Sequence, residues 1–226
     1  LRTRTLILRG TFRAAGTGKP GGLGEVPTIL FQASGDPADR EDSPRRLEAV
    51  LRREGLPQEY FGILTGGVRA ESICIMQYDY LTLFLAAGAS QGDGGTPVPV
   101  SMVVISREGM TDAALLEAIM TVTAAREEAL RSAGRGAGGS PLDGVIVACE
   151  GEVRHQSAGS ASEIGVRLRE AVSFGVPEAL SRHEGRARRD TPSFFIYSRY
   201  QGGHWVEWVP EGCPYYPCHF PGQRCD

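Results

Sequence analysis

The chain has 226 residues, of which 41% are hydrophobic and 23% are charged, and its formal net charge is -3 at pH 7. This length fits one sizeable domain or two small ones, and the composition is that of an ordinary soluble globular protein. The acidic balance argues against a nucleic-acid-binding surface, because such surfaces are basic. The best apolar run, at 81–89, is about half a membrane span, and the first ten residues lack the apolar core of a signal peptide. We therefore expect a cytoplasmic protein with no nucleic-acid or membrane partner, and leave open whether it forms a homo-oligomer.

The first half of the chain reads as strands with one helix. Ser43 followed by Pro44 is typical of a helix start, and Gly55 is expected to end this helix. A glycine-rich loop is expected at 16–24. The strand at 80–87 is almost wholly apolar, which is typical of a strand buried on both faces. The strands predicted in this half are 3–9, 11–15, 28–33, 61–65, 72–78 and 80–87.

The second half alternates strands with two long helices. Thr111 caps the first helix and Gly134 stops it, while Pro177 is expected to kink or split the second. The elements predicted here are strands at 100–106, 145–149 and 152–157, helices at 111–132 and 162–182, and a hairpin formed by 193–200 and 204–209. Strands and helices mix without strict alternation. The sequence thus predicts a layered α/β or α+β domain with a mixed sheet at 1–185, then a linker, a hairpin and a cysteine-rich tail at 186–226.

Two glycine motifs each have a functional interpretation and a purely structural one. Residues 16–21 match G-x-G-x-x-G, but Gly22, Gly24 and Pro27 prevent the helix that a dinucleotide site requires. Two interpretations of this segment stay open on equal terms. It is either a loop whose backbone approaches a bulky ligand, or a plain surface turn. Residues 88–92 match G-x-S-x-G after a buried strand, but no helix can follow. For Ser90, a hydrogen bond within its own loop is therefore favoured over a role as nucleophile.

Isolated charged residues and histidines have modest interpretations. Glu117, Arg126, Glu127 and Glu128 are expected to form the solvated face of the first long helix. Asp112 suits the positive N-terminal end of that helix. His155 follows a buried strand, where site residues often gather, but a solvent-facing strand histidine is an equally good interpretation.

The C-terminal tail has the composition of a metal site. It carries Cys213, Cys218 and Cys225, with His219 directly after the second cysteine. Zinc in structural sites takes four ligands in a tetrahedron, and the neighbouring Cys218 and His219 would strain to share one ion. The tail therefore indicates a zinc site that is incomplete within one copy of the chain.

Four segments carry a family resemblance, and they read "YFGILTGGVRAESICIMQYDYLTLFLAAGAS", "MVVISREGMTDAALLEAIMTVTAAREEAL", "DGVIVACEGEVRHQSAGSASEIG" and "AVSFGVPEALSRHEG". In this order they resemble the adenosylcobinamide amidohydrolase family, and the resemblance covers most of residues 5–185. The end, "FFIYSRYQGGHWVEWVPEGCPYYPCHFPGQRC", resembles the opening of the cysteine-rich small domain of archaeal members. The resemblance thus implies that the chain ends within that module.

The resemblance implies hydrolysis of the amide between the corrin ring's propionyl arm and aminopropanol. The products would be adenosylcobyric acid and 1-amino-2-propanol, a salvage step of cobalamin biosynthesis. Such a reaction needs a base, oxyanion donors and a proton for the leaving amine. The catalytic candidates are Asp143, Glu150 and His155 for acid–base steps, with Ser90 and Thr96 as hydroxyls. The candidates for binding the corrinoid are Gly16, Thr17, Gly21, Gly22, Thr65, Tyr78 and Gln91.

Three loops depart from the family pattern and leave alternatives open. "GSPLDG" at 139–144 stands where "GTTTDA" is expected, Gln91 replaces an asparagine, and "PVPVSM" follows Thr96 where "GTINI" is expected. A non-catalytic corrinoid-binding protein on the same fold is therefore the second interpretation. A zinc-dependent protein or nucleic-acid adaptor based on the tail ranks last, because the acidic balance opposes it.

Overall fold

The computed structural model describes residues 3–36, 43–68, 73–88, 98–135, 144–185, 196–199 and 205–208. The strands are β1 Thr3–Gly16, β2 Gly22–Ser34, β3 Phe61–Gly66, β4 Cys74–Tyr78, β5 Leu81–Ala87, β6 Val100–Ser106, β7 Gly109–Met110, β8 Val145–Cys149, β9 Val153–His155, β10 Ile196–Arg199 and β11 Trp205–Trp208. The helices are α1 Ser43–Glu54, α2 Asp112–Ser132 and α3 Glu163–His183. This is the mixed α/β architecture that the sequence predicts.

Seven strands, all before residue 150, form one mixed sheet in the order β4-β5-β6-β8-β1-β2-β3. Pairing is antiparallel except between β6 and β8 and between β2 and β3. The predicted C-terminal hairpin is confirmed as an antiparallel pair of β10 and β11, and β10 lies parallel to β4 at the sheet edge. A second, small sheet joins β7 to β9.

The β1–β2 hairpin differs from its prediction in two respects. β1 is one continuous strand with a shift in pairing register between Arg9 and Phe12, where two separate strands were expected. The predicted glycine-rich loop at 16–24 is mostly strand, because Gly16 pairs with Gly22 and only 17–21 form the turn. Glycine lowers strand propensity without preventing pairing in a long hairpin.

The central strands bury both faces, as the apolar pattern of β5 predicts. Leu81, Leu83 and Leu85 pack in the cluster beneath α2 and α3. Phe84 and Ala86 pack on the opposite face with apolar side chains of β1, β2 and β3. The sheet is thus the middle of a layered core.

α2 and α3 run side by side in the same direction over one face of the sheet. Arg135 after α2 forms an ion pair with Glu184 after α3, and Glu117 near the start of α2 contacts the segment before α3. α3 continues through Pro177, so the expected split is absent. None of the described helices is long and apolar enough to cross a membrane.

The charged face predicted for α2 is only partly solvated. Arg126 is 3% exposed and forms an ion pair with Glu127, so it belongs to the packed side of the helix. Glu117 accepts hydrogen bonds from three groups of the 157–159 segment. Glu128 alone is exposed as predicted. Sequence spacing could not show that neighbouring elements would cover part of this face.

The two ends of the central strands differ in what surrounds them. We define the amino edge of the sheet by Gly16, Gly88, Val100 and Gly144. Near this edge, β3 crosses close to the first residues of the central strands. The backbone N–H of Lys19 donates to the Gly62 carbonyl at 2.6 Å. A Cβ atom on Gly144 would meet the side chain of Ile63 at 2.9 Å. The carboxyl edge, which we define by Tyr80, Ser106 and Cys149, lies at the opposite end of β6 and β8.

Candidate active site

An open cleft of about 570 Å³ lies at the carboxyl edge. Its walls come from β1, from β2, from the 109–112 segment and from the residues that follow β8. Ligands of open α/β sheets commonly bind outside the carboxyl ends of parallel strands, and this volume suits a small-molecule site. The cleft is therefore the candidate active site among the described residues.

An arginine–aspartate pair forms one side of the cleft. Arg13 Nε donates to Asp112 Oδ1 at 2.8 Å, and Arg13 Nη2 donates to Oδ2 at 2.7 Å. Asp112 is the first residue of α2, after the N-cap Thr111, whose Oγ1 accepts from the Ala114 N–H. The hydrogen bonds from Arg13 lower the pKa of Asp112, and the carboxylate in turn raises the pKa of Arg13. The guanidinium is held in one orientation by two parallel bonds.

Glu150 enters the cleft directly after β8. Its backbone N–H donates to the Ser106 carbonyl at 2.9 Å. Its carboxylate lies against Gly10, where a Cβ atom would overlap Oε1, close to the register shift in β1. No described residue forms an ion pair with Glu150. Bulges beside sites often give a side chain room to point where the site needs it.

Cys149 also lines the cleft, but its chemistry is that of a buried thiol. The residue is 3% exposed, and Sγ accepts from the Met110 N–H at 3.2 Å. Burial raises the pKa of this thiol. A thiol that resists ionisation is a poor nucleophile, so Cys149 packs the floor of the cleft.

His155 is the last residue of β9 and contacts Glu108 and Tyr80. Its Nε2 forms a 2.8 Å hydrogen bond with Glu108 Oε2, and its ring stacks on Tyr80 with centroids 5.7 Å apart. His155 is buried, so the solvent-facing interpretation of this histidine is wrong. Burial raises the pKa of Tyr80 to about 12, and no described group hydrogen bonds with its hydroxyl. His155 is not among the residues that line the cleft.

The glycine-loop candidates lie at the amino edge instead. Thr17 Oγ1 accepts from the Val145 N–H at 3.0 Å, and a Cβ on Gly16 would lie 2.8 Å from Ile146 Cγ1. Gly21 and Gly22 are exposed in and after the turn. The whole of β8 separates this group from Glu150, which is roughly 15 Å at about 3.3 Å per strand residue. The glycine-loop residues and Glu150 therefore lie at opposite edges of the sheet, and the part of the glycine loop in corrinoid binding stays a prediction.

Two further binding candidates lie within the core. Thr65 is fully buried, and its hydroxyl has no partner among the described residues. Tyr78 is 1% exposed and donates its hydroxyl to Glu170 of α3. Both side chains are packing contacts in this structure, and their predicted part in corrinoid binding stays a prediction.

The remaining predicted residues lie outside the described residues, namely Ser90, Gln91, Thr96, Asp143, Cys213, Cys218, His219 and Cys225. Within the described parts of the chain, no three metal-binding side chains converge where they could hold an ion. The zinc prediction for the tail is therefore not tested.

The sequence did not indicate that Arg13 lines the cleft, and it indicated Asp112 only as a residue at a helix terminus. The two are 99 residues apart in the chain, and a single sequence gives no signal for such a pairing. Glu108 was missed for the same reason, because only the fold brings it to His155. An acidic residue directly after a helix cap was the available hint.

Comparison with known proteins assigns the family. The adenosylcobinamide amidohydrolase family model matches residues 8–188. An adenosylcobinamide amidohydrolase of Methanosarcina mazei is 30% identical over 197 residues, which cover 80% of this chain and 96% of the relative. A solved protein of Pyrococcus horikoshii OT3 has 11% identity and a TM-score of 0.40 over 80% of this chain and 72% of its own, too distant a likeness to bear on the fold. The chain belongs to the adenosylcobinamide amidohydrolase family.

Proposed function

We propose that this chain hydrolyses the amide that joins the propionyl arm of the corrin ring to aminopropanol in adenosylcobinamide. The products are adenosylcobyric acid and 1-amino-2-propanol, which makes the reaction a salvage step of corrinoid metabolism. Membership of the family over residues 8–188 supports the reaction type. The observation that supports the proposal is the cleft at the carboxyl edge, which is lined by Glu150, a carboxylate with no ion-pair partner among the described residues.

The chemistry requires one water molecule and one proton transfer in each direction. Water adds to the amide carbon as a base takes its proton, and the carbon–nitrogen bond then breaks as the amine is protonated. Glu150 has the right chemistry for both steps, since a carboxylate that accepts the proton of water can return it to the leaving nitrogen. These steps give a carboxylic acid and an amine, and transfer of the acid's proton to the amine then leaves a carboxylate and an ammonium ion.

The size of the cleft indicates which part of the substrate enters it. A volume of about 570 Å³ accommodates an amide arm with its aminopropanol group. A corrin ring with its peripheral amides is larger than such a cleft. The ring would therefore rest across the open mouth while the scissile arm reaches inward.

The charge of the cleft suits the leaving group. Glu25 and Glu150 both line it, and Arg13 is already neutralised by Asp112. The cleft thus carries a negative excess that favours the ammonium form of 1-amino-2-propanol over the neutral amine.

Incubating the purified full chain with adenosylcobinamide tests the proposal. Liquid chromatography with mass spectrometry should show adenosylcobyric acid and 1-amino-2-propanol appearing in equal amounts. The incubation is repeated over a range of pH and with added divalent metals. A corrinoid absorbance change without products would favour the non-catalytic binding protein instead, and absence of products under every condition would contradict the proposal.

A further inference from the structure

Arg13 has donor groups that its ion pair does not use. A guanidinium carries five N–H groups, and Asp112 takes one from Nε and one from Nη2. The remaining edge of the group, made by Nη1 and the second N–H of Nη2, finds no acceptor among the described residues. Arg13 lines the cleft, and its side chain is 36% exposed. These donors are therefore accessible to a ligand in the cleft.

The orientation of this free edge is fixed before any ligand arrives. Both carboxylate oxygens of Asp112 hold the opposite edge of the guanidinium, and Asp112 is anchored at the first turn of α2. Arg13 itself is in the β1–β8 ladder, directly opposite Cys149. A strand and a helix terminus thus set the position of the group from two sides. Donors fixed in this way lose little freedom when they bind a developing negative charge.

The donor edge and the proposed base line the same cleft. Glu150 follows Cys149, the residue that pairs with Arg13, and both Arg13 and Glu150 line the cleft. Hydrolysis of an amide needs a base for water and donors for the carbonyl oxygen at the same carbon. The cleft contains one group of each kind.

We propose that Arg13 is the oxyanion donor of the amide hydrolysis and that Asp112 is the residue that positions it. This inference rests on the proposed function. The free edge of the guanidinium donates hydrogen bonds to the amide carbonyl oxygen, and these bonds strengthen as that oxygen becomes negative during attack by water. When the carbon–nitrogen bond breaks, the charge returns to the carboxylate product.

Removal of Arg13 is expected to slow the chemical step while the fold stays intact. Both partners are substantially exposed, and exposed ion pairs contribute little to stability. Arg13→Ala should lower kcat by about 10²- to 10³-fold, the usual effect of losing an oxyanion donor, with a much smaller change in KM. Millimolar guanidinium chloride, which is far below denaturing concentrations, should restore part of kcat in Arg13→Ala and have no such effect on the wild type.

Asp112→Asn separates positioning from donation. It keeps the guanidinium but weakens the two charge-assisted bonds that orient it, so kcat should fall less than in Arg13→Ala, and guanidinium should not restore it. Arg9→Ala is the matched control, because Arg9 is an exposed arginine of the same strand outside the cleft. It should retain wild-type kcat, and the melting temperatures of all variants should be measured alongside.

The outcomes separate the two proposals. An Arg13→Ala variant with kcat within about threefold of the wild type, or one whose lost activity guanidinium fails to restore, would overturn the role of Arg13 while the hydrolase function stands. A wild-type protein that does not release 1-amino-2-propanol would overturn both the proposed function and this inference.

Discussion

Gly18 lies where two stretches of backbone cross at the amino edge. A Cβ atom there would overlap the carbonyl oxygen of Gly62, and it would also lie 3.2 Å from Ile146 Cδ1. The neighbouring Lys19 N–H donates to the same Gly62 carbonyl. The glycines that suggested a ligand loop therefore have a structural role at this point, because they let β3 pass close to the hairpin turn.

Gly18→Ala is predicted to lower the free energy of unfolding by about 1–3 kcal/mol, because backbone atoms rather than a flexible side chain oppose the new methyl group. The measurement is urea denaturation followed by circular dichroism. Gly24→Ala is the matched control, since nothing lies within 4 Å of a Cβ at Gly24 in the same hairpin. It should leave stability unchanged or slightly raised. Equal losses in the two variants would contradict the close crossing.

At the scale of elements, one carboxylate joins α2 to the segment that leads into α3. Glu117 Oε2 accepts from the Ser157 hydroxyl at 2.6 Å, the Ala158 N–H at 2.8 Å and the Gly159 N–H at 3.0 Å. Thr121 adds a hydrogen bond from its hydroxyl to the Ala158 carbonyl. The hydrogen bond from Ser157 is the main reason that the pKa of Glu117 is lowered.

The contribution of Glu117 to stability should depend on pH. A carboxyl whose pKa is lower in the folded protein stabilises it fully above the unfolded pKa, and this stabilisation is lost as pH falls through the folded value. Glu117→Gln should therefore lower the melting temperature at neutral pH, and the difference from the wild type should shrink in acid. Glu128→Gln, at an exposed site of α2, is the control and should show no such trend. A difference that stays constant with pH would argue against the hydrogen bonds as its cause.

The elements with strong local signals were predictable from the sequence. Thr111 and Ser162 cap the two long helices, and Gly134 adopts positive φ just past α2. The strand bounds at 100–106 and 145–149 also match. What the sequence could not show is set by distant contacts, such as the register shift that keeps β1 continuous or the burial of Arg126. The meeting of Arg13 with Asp112 belongs to the same class.

At the scale of the whole molecule, the described core is built by residues before 186. Both faces of the sheet are filled by side chains from β1 to α3, and the family match ends at 188. β10 adds to the sheet at the outer side of β4. The division into a domain at 1–185 and an appended segment at 186–226 stays a prediction.

A chain that ends at Gly185 tests this division. It should fold with a cooperative thermal transition and retain most of the kcat of the full chain, because the cleft lies before residue 160. Its exposed β4 edge should make it more prone to associate, which light scattering would detect. A folded but inactive product would place part of the active site, or its regulation, in 186–226.

The location of the chemistry at the cleft is the central claim, and two of the acidic residues predicted from the sequence test it. Glu150 lines the cleft at the carboxyl edge, whereas Asp143 is outside the described residues and precedes in sequence Gly144, one of the residues that define the amino edge. The measurement is kcat for release of 1-amino-2-propanol from adenosylcobinamide by Glu150→Gln and Asp143→Asn, with melting temperatures to confirm folding. Loss of a general base lowers the rate by about 10²- to 10⁴-fold. If the active site lies at the cleft, Glu150→Gln should show this loss and Asp143→Asn should keep a kcat near that of the wild type. An active Glu150→Gln beside an inactive Asp143→Asn would contradict it and move the active site to the amino edge.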